Sequence, residues 1–167
     1  MFPESLVAAR TLLEEITPLQ TDCGLVCGGA CCQTHPGEET GMLLFPGEAE
    51  MYRGEKGFTL VDSPHGTILV CEGRCSRANR PLACRMFPLV MLLRPDGVKI
   101  ATDAAAQSVC PLARQGKSAL SQDFVAAVRQ AANLLAQDDQ QAAHLRRLTD
   151  MQDELKALRA QYRGRKE

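Results

Sequence analysis

Residues 23–32 read CGLVCGGACC, which places four of the chain's eight cysteines and three of its glycines within ten residues. A regular element is a poor home for such a stretch. Glycine weakens helix and strand alike, and Gly28-Gly29 makes a helix with three thiols on one face unfavourable. A loop is the expectation. Glycines in a loop let backbone wrap close to an ion and aim amide N–H groups at sulfur, while the thiolates supply ligands.

The other cysteines fit the same task. The full set runs Cys23-x3-Cys27-x3-Cys31-Cys32, then Cys71-x3-Cys75, then Cys84 and Cys110. Close pairs separated by long insertions are how a folded chain brings four thiolates around one ion. All eight are candidate ligands: four suffice for one centre, and eight allow two. The spacing is not the C-x2-C of common zinc ribbons or bacterial ferredoxins. It points to metal without choosing between zinc and an iron–sulfur cluster, since both take four thiolates. Disulfides or inert buried thiols are the structural alternatives. In extended backbone the adjacent Cys31 and Cys32 would point to opposite sides. That predicts two centres, or one ligand beside a second-shell or exchangeable thiol.

Charge adds a second clue. Arg74, Arg77, Arg80, Arg85 and Arg94 stand between Glu72 and residue 94 with Glu72 as the one acid. A divalent ion with four thiolates carries a net negative charge, which guanidinium N–H groups offset by bonds to sulfur. Arg80 and Arg85, on either side of Cys84, are the candidates for that role; an anionic substrate is the alternative. His35, His65 and His144 are each expected in solvent rather than on a metal. His35, three residues after Cys32, is the one closest to the cluster.

Composition bounds the rest. The chain has 167 residues, 45% hydrophobic and 23% charged, with five Phe, two Tyr and no Trp, so its core rests on aliphatic side chains. A net charge of −1 does not advertise nucleic acid or an anionic membrane as partner. No apolar run reaches the roughly 18 residues of a membrane span. The opening MFPESLVAARTLLEEITPL alternates apolar and charged residues, unlike a secretory signal. A cytoplasmic setting, with thiols held reduced, is the expectation.

Three regions follow. Residues 3–17 predict an amphipathic helix with Leu6, Ala9, Leu13 and Ile16 on one face, Pro3 at its first position and Thr17-Pro18 ending it. Residues 23–111 hold every cysteine and seven of nine prolines, and read as short strands and turns. Met42–Phe45 is a short apolar run, and Glu48–Arg53 predicts a helical turn or two. FTLV (58–61) and TILV (67–70) flank a hairpin loop, as do LVMLLR (89–94) and VKIAT (98–102) around Pro95-Asp96-Gly97. Residues 118–163 lack Cys, Pro and Gly and read as helix, with Ser121 as N-cap and Phe124, Val128, Ala131 and Leu135 on one face. Leu148, Met151, Leu155, Leu158 and Tyr162 continue the spacing, packing on the domain or associating with a second copy. The fold class is therefore α+β: a cysteine-rich domain over 1–117 with its N-terminal helix, and a helical region over 118–167.

The most specific segment is RPLACRMFP, Arg80 to Pro88. With the opening cluster, Cys71 and Cys75, and Cys110-Pro111, it makes residues 23–111 resemble the YkgJ-like family of zinc- or iron-chelating cysteine-cluster proteins, relatives of flagellin lysine-N-methylases. The opening cluster is one residue longer in each gap than that family's C-x2-C-x2-CC. The resemblance implies metal chelation and, through the methylases, S-adenosylmethionine chemistry; no G-x-G-x-x-G after a strand supports a nucleotide site independently. On physical grounds, Pro81 and Pro88 bracket Cys84 in a pre-shaped turn. Phe87 is expected to cover the thiol, and Arg85 to donate to sulfur or to an anionic ligand. The expected function is metal binding. The alternatives are a cluster-dependent protein lysine methyltransferase-like enzyme, and a metal carrier or thiol redox sensor built on Cys31-Cys32.

Overall fold

The computed structural model describes residues 1–19, 28–32, 41–73 and 75–165. Cys23, Cys27, His35 and Arg74 lie outside the described residues. The architecture is α+β, with two small antiparallel sheets and five α-helices among the described residues.

Helix α1 (Glu4–Leu12) follows Pro3, which is the N-cap rather than the first helical residue. Leu6, Ala9 and Leu13 are fully buried, as their spacing predicts, but the helix stops short of 17. Past it, the carbonyls of Glu14 and Ile16 accept from the guanidinium of Arg77 instead of from helical amides.

Sheet one has the order β1-β3-β2, from β1 (Met42–Leu43), β2 (Phe58–Ser63) and β3 (Gly66–Cys71). The β2–β3 hairpin turns at Pro64-His65, with Ser63 opposite Gly66 and Phe58 opposite Cys71. His65 is exposed there, as expected. A 3-10 turn at Glu48–Met51 occupies the stretch read as helical. It begins at Gly47, whose positive φ of 86° suits glycine, and where a Cβ would lie 2.7 Å from the Pro3 ring.

Sheet two is the hairpin β4 (Leu89–Arg94) and β5 (Gly97–Thr102), turning at Pro95-Asp96 as predicted. Leu89 to Leu92 are buried in succession, so β4 is covered on both faces, which explains its unbroken apolar run. Two short helices, α2 (Leu82–Met86) and α3 (Pro111–Gln115), precede and follow this hairpin.

The C-terminal region is two helices, α4 (Gln122–Leu135) and α5 (Asp139–Arg163). Ser121 is the N-cap of α4, although its hydroxyl makes no capping bond. The break after residue 135 carries no Gly or Pro. Its signal is Asp138, whose carboxylate accepts from the amides of Gln140 and Gln141 and receives the Ser5 hydroxyl of α1. Phe124, Val128, Ala131 and Leu135 of α4 are fully buried in one core with Leu6, Leu13, Leu82 and Met91. Residues 118–165 thus share their core with the cysteine-rich part.

Helix α5 docks on β4 and on the turn that follows β5 through polar contacts. Thr149 accepts from the Leu93 amide at 2.9 Å, Gln152 accepts from the Ala104 amide at 2.9 Å, and Arg94 donates twice to Asp153 at 2.6 and 2.7 Å. Its last turns carry Leu158 and Tyr162 in solvent. His144 corrects the expectation of a solvent histidine. It is 1% exposed and lies against Phe45, ring centroids 4.7 Å apart, because it shares the buried face of α5 with Gln141 and Leu145.

Candidate metal centre

Two neighbouring segments bring thiols together. Strand β3 delivers Cys71 at its end, the chain turns through Gly73 with a φ of 89°, and Cys75 follows. Successive turns over 76–80 lead to Pro81, which sets the extended residue before α2, and α2 carries Cys84. Bracketing by proline therefore presents Cys84 on one short helical turn, ahead of the cis Phe87-Pro88 peptide.

Two buried ionic side chains fix that turn, and neither does so by touching sulfur. Glu48 is fully buried and accepts from the Leu82 amide at 2.7 Å, the Phe45 amide at 3.2 Å and the Arg10 guanidinium. Burial pushes its carboxyl above the usual range, against the pull of those donors. Arg85, 6% exposed, donates to four backbone carbonyls: Arg80 and Arg10 at 2.9 Å, Ala78 at 2.9 Å and Arg77 at 3.4 Å. Its fork ties α1 and the 77–80 turns to α2, a mechanical role in place of the sulfur contact expected of it. Burial, then the neighbouring Arg10, lowers its pKa.

Cys75 and Cys32 act electrostatically on Cys71 and Cys84. Burial pushes the Cys71 thiol up to about 11, with the charges of Cys75 and Cys32 adding to it. Burial pushes Cys84 up further, reinforced by Cys75, Cys32 and Cys71 and opposed by Arg80. Arg80 is half-buried. Burial alone would lower its pKa, but its hydrogen bond to Cys75 and the charges of Cys75, Cys32 and Cys84 outweigh that and hold it protonated. Of the two arginines singled out, Arg80 is the one beside the thiols.

The adjacent pair is not extended. Ala30–Cys32 forms a 3-10 turn closed by the Cys32 amide on the Gly29 carbonyl at 2.9 Å, after Gly28 and Gly29 at φ of 65° and 70°. The turn brings Cys31 Sγ and Cys32 Sγ to the same side, 3.9 Å apart. That separation is close to the edge of a tetrathiolate tetrahedron, about 3.8 Å for zinc–sulfur bonds of about 2.3 Å. Cys31 is exposed and Cys32 half-buried, and it is Cys32 whose charge reaches Cys71 and Cys84.

Cys110 lies elsewhere. It caps α3 and is packed in the main core with Leu112 and Ala113. Phe87 likewise packs against the main core. Among the described residues, no group of three Cys, His, Asp or Glu side chains stands at metal-holding distances. Two neighbours escaped the sequence reading. Tyr52 is 3% exposed, donates to the Asn79 carbonyl at 2.8 Å and lies tilted against Phe58, ring centroids 5.1 Å apart. Burial, then Glu48, raises its hydroxyl to about 12, and the Cys84 charge adds to that. Glu48 was the other; a buried acid in a turn has no periodic signature. No family model, curated protein or solved structure matches the chain, so the functional reading rests on its own residues.

Proposed function

We propose that the protein binds zinc or an iron–sulfur cluster through the thiolates of Cys32, Cys71, Cys75 and Cys84. The observation that carries this reading is the electrostatic penalty that Cys75 and Cys32 add to the buried Cys71 and Cys84, with Arg80 bonded to Cys75. Two buried thiols, Cys71 and Cys84, whose pKa is raised by burial and by the sulfurs beside them, form an environment a cation relieves. Bound metal replaces their protons and removes the repulsion, and Arg80 offsets part of the net negative charge that remains. The donor set suits either centre, because both zinc and iron–sulfur clusters are held by four thiolates.

With all four positions filled by sulfur, the ion is structural. It ties the Ala30–Cys32 turn to the end of β3 and to α2, three segments whose backbone contacts with one another are few. Purification without oxygen, followed by metal analysis and a visible spectrum, tests the reading. A brown protein with iron and sulfide, or a colourless one with stoichiometric zinc, supports it. A protein that neither retains nor takes up either metal contradicts it.

A further inference from the structure

We propose that Cys31 is a peroxide-sensitive trigger that withdraws Cys32 from the thiol group by forming a reversible Cys31–Cys32 disulfide. The proposal rests on the reading of Cys32 as a metal ligand and adds to it how that ligand is released. Two observations support it. The 3-10 turn places the two sulfurs on one side, 3.9 Å apart, where extended neighbours would diverge. The two differ in access, Cys31 being exposed and Cys32 half-buried. An oxidant from solvent therefore meets Cys31 first, while Cys32 faces the other thiols.

The chemistry closes in two steps. The Cys31 thiolate attacks a hydroperoxide; an S–O bond forms, the O–O bond breaks, and the leaving oxygen departs as alcohol or water after taking a proton. Sulfur loses two electrons and the peroxide gains them. Cys32 sulfur then attacks Cys31 sulfur; the S–S bond forms, the S–O bond breaks, and hydroxide leaves to become water. Cys32 no longer ligates, and a site left with three thiolates holds its metal less tightly. The product is strained. Adjacent Cα atoms are about 3.8 Å apart across a trans peptide, below the usual disulfide range of about 4.4–6.8 Å, so a thiol reductant reopens it readily.

The test adds one equivalent of hydrogen peroxide to metal-loaded protein and to Cys31→Ser, following release with a chromogenic chelator. Tandem mass spectrometry after alkylation locates the protected cysteines. Wild type should release its metal at least about tenfold faster than Cys31→Ser, with Cys31 and Cys32 alone protected from alkylation, and dithiothreitol should restore binding. Equal release from Cys31→Ser, or a link from Cys31 to Cys23 or Cys27, overturns the proposal. If the protein holds no metal, the proposed function fails first. The mass measurement then still decides whether Cys31 and Cys32 pair, and without that pair the trigger is refuted on its own account.

Discussion

At the scale of residues, the thiol group makes a prediction with a definite sign. Burial and neighbouring thiolates lift Cys71 to about 11 and Cys84 higher still, so near neutral pH both carry protons that a metal must displace. Affinity should therefore rise with pH, with protons released on binding, as calorimetry in buffers of different ionisation enthalpy will report. A pH-independent affinity between pH 6 and 9 would count against these thiols as ligands. Replacement separates the thiols further. Cys84→Ser should weaken metal retention by more than the roughly 10–100-fold typical of losing an outer-shell partner, and Arg80→Gln by about that amount. Cys110→Ala, in the main core, should leave metal content unchanged in the same assay. The cysteines were legible as a set because thiols are conspicuous in sequence. Which of them influence one another was not, because Cys32 and Cys84, far apart in sequence, are brought within electrostatic reach only by the fold. The local rule that sends adjacent side chains apart failed at Cys31-Cys32, since the chain there is a 3-10 turn after two left-handed glycines.

At the scale of elements, two buried ionisable side chains set the positions of α2 and α5. Glu48→Ala removes the acceptor for Arg10, Leu82 and Phe45 and leaves the Arg10 charge uncompensated. It should cost about 3–5 kcal/mol of unfolding free energy, measured by urea denaturation. His144 is held neutral: burial, helped by Arg147, lowers its pKa to about 4. The unfolded chain takes up that proton below about pH 6.5 and the folded chain does not. Stability therefore falls as pH drops from about 6.5 to about 4, by roughly 3 kcal/mol at most. His144→Leu should flatten that part of the stability profile; an unchanged slope would place the acid sensitivity elsewhere. Both hairpins and the buried face of α4 were legible from alternation, turn residues and helical spacing. The early end of α1 was not, because Arg77, over sixty residues away, takes up the carbonyls of Glu14 and Ile16 just past it. The α4–α5 break was marked only by an aspartate cap.

At the scale of the whole molecule, the hairpin β4–β5 with α1, α4 and α5 forms a core to which Cys32, Cys71, Cys75 and Cys84 contribute no side chain. The thiol group lies where the first sheet and α2 meet outside it. Removing the metal should then loosen the cysteine-rich segments while α4 and α5 keep their amide-exchange protection. Uniform loss of protection would mean that the ion holds the entire fold. The central claim is that four sulfurs surround one metal site, and X-ray absorption at the metal edge tests it most directly. A first shell of sulfur alone, at about 2.3 Å and four per metal, is the predicted result. Nitrogen or oxygen neighbours in that shell, or fewer than four sulfurs, would contradict it.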